Sequence, residues 1–541
     1  MHKSIKISLI IIALIVLAIS ACIIALNSYS TRIVNNAITE WLKKDKTPTQ
    51  ISVGRIHVGL LNGRVRIYDI NLISDTTLLD SLGSKHKAGI KLSIPQVSVN
   101  INSIGNFIRY HNLSVLNFTI KEPRAQIFFD DKHPADCLPV FPTDTAKQDT
   151  ILNSLNVAKA MIENATIQFI SLSTPLRLQI DSLSFEANNI DYSLIDSSFA
   201  YNDSIYSLQI NHLDAKLDDG ITEIDLHNLI CDAEGLKEGY THLFNTITDK
   251  KMAELAREPI NWTDLTINHL HTSKFNPIQK IVSQDRTLDS VFLEIEKIHA
   301  IRNEQYMPKQ PYNDIPQLGL IEIQTIFCIK NIIVDVHKIN FDYTANGKEY
   351  GKLQLGHLNI DMHNLTNKKN ATCTTHAHAI VGQKGHLDIA YNMHINKECT
   401  FDFETKWKNI DMSFINSFVR PLAGITCKNH IDELHSRFSG DKLNAEGEFM
   451  MTYHNLEIEV LKDEKAPIEV LKNNAEIVQY IANGLIAHSN PESANQQPKQ
   501  YKVDGQRNEW LPYPMFLLSP IANGFIETIL PFWNIHREIH N

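Results

Sequence analysis

Apolar side chains that return at every second position constrain this chain more than any other feature, because that period belongs to a strand with one buried face. In the stretch from Val97 to Phe129, VSVNINSIGNFIRYHNLSVLNFTIKEPRAQIFF, Val97, Val99 and Ile101 alternate with polar residues. Leu113 with Val115, Phe118 with Ile120, and Ala125, Ile127 and Phe129 repeat the pattern across a Pro-containing break. Each such strand offers an apolar face that something must cover. Turn chemistry agrees: Asn62-Gly63 lies between Ile56, Val58, Leu60 and Val65, Ile67, and Asn346-Gly347 lies between Phe341, Tyr343 and Leu353, Leu355, with a weaker Asp219-Gly220 after Leu217. These dipeptides predict tight hairpins, hence antiparallel neighbours rather than parallel strands with crossovers.

A loose internal repeat extends the pattern. VSVNINSI from Val97, LSFEANNI from Leu183 and LNIDMHNL from Leu358 share apolar residues at their first, third, fifth and eighth positions, and IDMSFINS from Ile410 fits less well. The irregular spacing excludes a fixed-period solenoid, and together the copies suggest one extended sheet. Its apolar side is predicted to carry Val97, Val99, Ile101, Leu183, Phe185, Leu358, Ile360 and Met362.

Helical signals are few. Leu236 to Glu258 and Ile278 to Ile301, the latter with Leu288, Phe292, Ile295 and Ile298 near helical spacing, predict local helices over a sheet end. Met307 to Pro316 reads as a loop and Asn490 to Asn508 as a polar linker. Beyond it, Ser519-Pro520 resembles a helix start, and Ile521, Phe525, Ile526, Ile529 and Leu530 form an apolar stripe that Pro531 ends, flanked by Phe516, Phe532 and Trp533. This stripe suits either docking on a distal membrane or capping of the sheet's open end.

The first residues set the compartment. Ile7 to Leu26 runs without a charge for the length a helix needs to cross a hydrocarbon core, which predicts a transmembrane anchor behind residues 1–6. Lys3 and Lys6 precede it while Arg32, Lys43, Lys44 and Lys46 follow, so charge alone does not orient it, and a short cytoplasmic N-terminus is the default. The alternative is a lipoprotein signal with acylation at Cys22, against which the apolar run continues through Ile23 to Leu26. Either way the remaining chain leaves the cytoplasm, organised as a β region over 27–145, an extended β region with local helices over 146–489, the linker over 490–508 and the apolar segment over 509–541.

Composition narrows the function. A net charge of -10 and the lack of a Lys/Arg stripe with interleaved aromatics exclude nucleic acid as a natural partner. No phosphate loop, dinucleotide fingerprint, nucleophile elbow or HExxH occurs, so no catalytic residue or cofactor is predicted and the chain is read as a non-enzyme. No metal ligands are assigned: among 24 histidines, His376 and His378 share a strand face but suit a polar outer surface. The seven cysteines show no zinc spacing; Cys373 and Cys399 are placed to bridge neighbouring strands or to stay free as small hydrophobes.

The membrane segment, the hairpin ISVGRIHVGLLNGRVRIYDINL (Ile51 to Leu72) and the stretch from Val97 to Phe129 together resemble the AsmA-like family of Gram-negative envelope proteins. The glycine-punctuated strands from Arg420 to Asp463, ending in the Tyr453-x-x-Leu456 strand, look similar as well. The resemblance implies a mainly β fold: an N-terminal transmembrane helix, then an elongated, curved antiparallel sheet forming an apolar groove with a few covering helices, as in TamB and the chorein-type bridge-like lipid-transfer proteins. It further implies inner-membrane anchoring with the bulk in the periplasm, phospholipid acyl chains in the groove, and transfer toward an outer membrane or a protein in it, in support of outer-membrane biogenesis. Two other readings share the pattern: an assembly factor for outer-membrane proteins, and an anchored β-sandwich binding module whose faces bury each other.

Overall fold

The alternating segments are strands, and the secondary structure is mainly β with a few short helices. The computed structural model describes residues 28, 31–32, 49–59, 63–74, 89–102, 109–129, 153–193, 199–201, 206–217, 219–255, 259–274, 286–303, 308–345, 348–414, 416, 425–460, 486–493 and 495–529. The chain divides into two units, Met1–Gly235 and Leu236–Asn541. Strands on the two sides of position 145/146 pair directly.

In the first unit, β1 (Thr49–Ser52) and β2 (Arg55–Gly59) share one side of β3 (Arg64–Ser74), whose other side takes β4 (Gly89–Ile101). Gly63 has a left-handed φ of 61°, as the Asn-Gly signal requires, but the strands close at Gly59↔Arg64, so the loop is longer than two residues. β5 (Asn112–Lys121) and β6 (Arg124–Phe129) run in line against β4. The Pro-containing break between them costs no register: the Glu122 N–H donates to Glu163 O at 2.7 Å and Thr166 N–H donates to Pro123 O at 2.8 Å. On their far side lies β7 (Ser154–Ser171), followed by β8 (Arg177–Ser193), the short β9 (Phe199–Tyr201) beside it, β10 (Tyr206–Lys216) and β11 (Thr222–Asp232). The Asp219-Gly220 turn forms as predicted, with Gly220 at φ 73° and the Asp219 carboxylate accepting from the Ile221 and Thr222 N–H groups.

The expectation of purely antiparallel neighbours is corrected once in each unit. β5 and β6 pair with β7 in parallel. In the second unit β15 (Thr287–Asn303) pairs in parallel with β16 (Cys328–Ala345). The connections over 130–153 and 304–327 have the length a parallel crossover needs, a property that the hairpin dipeptides do not report.

A line of backbone irregularities crosses the first unit. Asp69, Glu122, Asn164, Ser182 and Asn228 have positive φ of 48–59°, and the register aligns them, with Pro95 and Asn211, at one level across the neighbouring strands. At that level each strand inserts an extra residue. The apolar alternation therefore steps by three, from Ile67 to Ile70, Ile94 to Val97, Ile162 to Ala165, Ile180 to Leu183, Ile210 to Leu213 and Leu226 to Leu229. Because neighbouring strands carry the insertion together, pairing continues on both sides and the apolar residues stay on one face.

The second unit begins with β12 (Gly235–Glu238), β13 (Tyr240–Asn245), α1 (Asp249–Leu255) and β14 (Ile260–Thr272). After β15, α2 (Pro316–Glu322) precedes β16; then β17 (Lys348–Thr366), β18 (Thr372–Val381), β19 (Gly385–His394), β20 (Phe401–Asp411), β22 (His430–Gly440) and β23 (Asn444–Tyr453) form successive antiparallel neighbours. β21 (Ile425–Lys428) and β24 (Glu457–Val460) make a separate small sheet, β25 (Gln500–Gln506) adds to β23, and α3 (Tyr513–Ile529) lies against β23 and β25. β16 and β17 close at Ala345↔Lys348, on either side of Asn346-Gly347 as predicted.

Three sequence expectations fail here for identifiable reasons. Leu236 to Glu258 is mostly strand, with helix only in α1. Ile278 to Ile301 is strand β15 wherever it is described: a register shift against β14 moves the apolar face from Leu293 and Ile295 to Ile298 and Ala300, and this three-residue step imitates helical spacing. The polar linker contains β25, whose alternating Tyr501, Val503 and Gly505 face the core, and the Asn490 side chain bonds the backbone of Met451 and Lys499.

Two outcomes test this architecture. Asn228 is exposed and left-handed, so Asn228→Val should lower unfolding stability by about 1–2 kcal/mol in urea titrations, and Asn228→Gly should cost less. Burial pushes the Glu238 carboxyl up from 4.5 to about 7. Its folded form favours the proton, so its stabilising contribution is complete below pH 4.5 and is lost as pH rises through about 7. Glu238→Gln should match the parent's urea midpoint in acid and exceed it at alkaline pH, by at most about 3 kcal/mol.

Candidate binding face

Cross-strand pairing turns the alternation into continuous apolar rows. In the first unit one row joins Ile56, Ile67, Val97, Ile120, Ile162, Phe185, Leu208 and Cys231 from β2 to β11. Its neighbour joins Val58, Val65, Val99, Phe118, Ala160, Ala187 and Tyr206. Beyond the line of insertions the same face continues through Leu72, Leu92, Ala125, Ile167, Ile180, Leu213 and Leu226.

The predicted lining residues of this unit all fall on that face. Val97 and Phe185 share the first row, Val99 lies in the second, Ile101 pairs with Val115, and Leu183 sits between Ala165 and Ile210. Ile56, Val58, Val97, Ala187, Tyr206 and Cys231 are buried, whereas Val99, Phe118, Ile120, Ile162, Phe169 and Phe185 are only half-buried. Among the described residues of the unit no second sheet lies across them.

In the second unit Leu358, Ile360 and Met362 are likewise on one face. Leu358 lies in the row Ile267, Ile295, Val336, Leu358, Ala379, Leu387, Trp407, Leu434 and Met451. Ile360 joins Leu293, Val334, Ala377 and Ile389, and Met362 joins Ile332, Thr375, Tyr391 and Phe403. The opposite face is mainly polar, its row running through Asp361, His376, Ala390, Glu404, Arg437, Glu448 and Lys502 from β17 to β25. His376 and His378 stand on it; His378 Nδ1 is 2.7 Å from Asp388 Oδ1.

Toward β25 this face is closed by protein. Phe401, Phe438, Phe449, Tyr513, Phe516 and Ile521 form a core with Phe401 edge-on to Phe438, Tyr513 and Phe516. Helix α3 sits so close that a Cβ on Gly524 would lie 2.2 Å from Phe449 Cγ. Asp314 accepts from the Tyr513 N–H at 2.8 Å and pairs with Arg507 at 3.2 Å, fixing the helix start. Of the C-terminal stripe that suits docking or capping, Ile521 and Ile529 are buried in this core and Phe525 and Ile526 pack against it, where the alternating strand β25 ties the segment to the sheet. Leu530 and Trp533 lie outside the described residues, as does the anchor Ile7 to Leu26, and among the described residues no helix is long and apolar enough to cross a membrane.

The cysteines offer no chemistry to this face. Cys373 and Cys399 are unbridged and buried, and burial pushes the Cys373 and Cys427 thiols up to about 11. Sequence reasoning missed most members of the rows, and the recurring three-residue step would have exposed them. No family model matches the chain, and no curated protein is significantly similar to it.

Gly524→Val should force α3 off Phe449, lowering the urea midpoint by an amount equivalent to about 1–3 kcal/mol and raising binding of an apolar dye, while Ala522→Val on the exposed side should do neither.

Proposed function

We propose that this chain is a membrane-anchored, non-enzymatic lipid carrier whose apolar sheet face holds phospholipid acyl chains on their way between two membranes of a cell envelope. One observation carries the reading: within each unit apolar rows run from strand to strand on one face, and in the first unit Val99, Phe118, Ile120, Ile162 and Phe185 on them are only half-buried. A contiguous apolar strip of that extent is a partner surface or an aggregation liability. Acyl chains cover it at roughly 25 cal/mol per Å² of buried apolar surface while headgroups stay in water. The resemblance to AsmA-like proteins supports the same reading, with an inner-membrane anchor at Ile7 to Leu26, the remaining chain in the periplasm, and a curved groove that serves outer-membrane biogenesis.

Photo-crosslinking in intact cells tests it. A benzophenone amino acid at Val99, Phe185 or Ile360 should yield phospholipid adducts, and the same probe at the outward Gln126 or Asn359 should not. Adding Val99→Asp, which sets an unpaired charge against acyl chains at a cost of several kcal/mol, should reduce the adduct at Phe185. Equal yields from the two faces, or adducts to protein alone from the inward sites, would defeat the proposal.

A further inference from the structure

The polar side of β8, β10 and β11 gathers side chains that the carrier role does not use. Asp181, His212 and His227 face one another across the three strands, and the next level places Asp214 opposite Asp225. His212 Nε2 is 2.9 Å and His227 Nε2 3.0 Å from the same oxygen, Asp225 Oδ1. Asp214 Oδ1 stands 3.6 Å from His212 Nε2. The two imidazoles stack with centroids 4.6 Å apart, and one ligand atom each from His212, Asp225 and His227 lies within 4.8 Å of the others.

We propose that His212, His227 and Asp225 form a site for Zn²⁺ or a similar borderline divalent cation, with water in the fourth position. Two imidazole nitrogens and a carboxylate suit such an ion, and a tetrahedral site with the usual bond lengths has ligand-to-ligand edges of roughly 3.4 Å, the spacing these atoms already approach. Two further observations favour a cation. Among the described residues none of Asp181, Asp214 and Asp225 pairs with a lysine or arginine; the nearby Lys216 pairs with Glu223 instead, and Arg177 donates to Gln179. Asp181 Oδ2 lies 3.7 Å from His212 Nδ1, on the ring side from which a carboxylate orients a metal-binding imidazole. When the ion takes Nε2, the imidazole proton sits on Nδ1, toward Asp181.

The line of insertions makes the cluster possible. His212 and His227 directly follow and precede Asn211 and Asn228, so the change of face at that level turns both rings to the polar side, where Asp181 next to Ser182 meets them. Asp225 and His227 stand two apart on β11 and His212 comes from β10, so the pair shows in sequence as a strand-face spacing while its meeting with His212 is set by the register.

The experiment titrates full-length, chelator-stripped protein with Zn²⁺ against a chromophoric chelator. One equivalent should bind tightly, without competition from equal Mg²⁺ or Ca²⁺. His227→Ala and Asp225→Asn should each weaken it at least a hundredfold, and Asp181→Asn by tenfold to a hundredfold as a positioning residue. His378→Ala, which alters the stacked His378–His386 pair on the other unit, should leave it unchanged. Parent-like affinity in both His227→Ala and Asp225→Asn, or no stoichiometric binding by the parent, would overturn the site. Circular dichroism confirms that each variant is folded.

Discussion

Every side-chain relationship in the first unit depends on one backbone constraint: all neighbouring strands must change the parity of their alternation at the same level. If a single strand lacked its extra residue there, its apolar side chains beyond that point would turn to the polar face while their partners did not. The left-handed conformation that absorbs the extra residue is strained for most side chains and is tolerated best by Asn and Asp, which supply Asp69, Asn164 and Asn228. Glu122 and Ser182 occupy the same level without that advantage, so the shared register is maintained against local preference. Hydrophobic burial along entire rows is the energy that holds it.

What could be read from the sequence was what is local. Alternation identified strands, and Asn-Gly and Asp-Gly identified their turns, because both signals act within a few residues. The three-residue step in β15 looked helical since a strand that changes faces leaves the same apolar spacing as one helical turn. The parallel pairing of β5 and β6 with β7 depends on a long connection rather than on a dipeptide. In β25 the alternation is too short to stand out from its polar surroundings, and only the partner strand β23 gives Tyr501, Val503 and Gly505 a face. The eight named apolar residues lie on the apolar faces, Met362 among them in a cluster with Leu320 of α2, whereas the Asp181, His212, Asp225 and His227 cluster depends on the register of three strands, of which only the Asp225 and His227 pair is local.

In the second unit the apolar face has a cover of protein. Beneath α3 the sheet presents aromatic rings, Phe401, Phe403, Phe438 and Phe449, in edge-on and stacked arrangements, and the helix answers with Gly524 for close approach and with Phe516 and Tyr513 between the rings. Such shapes fit one rigid partner. Over β14 to β17 the rows change character to aliphatic Ile267, Ile295, Val336 and Leu358, with Leu270, Leu293, Val334 and Ile360 alongside. Leu355 of β17 packs against the aromatic core, and Met362 packs in a second cluster with Leu320 of α2. The apolar face of the second unit therefore passes from aliphatic rows over β14 to β17 to an aromatic core that α3 covers.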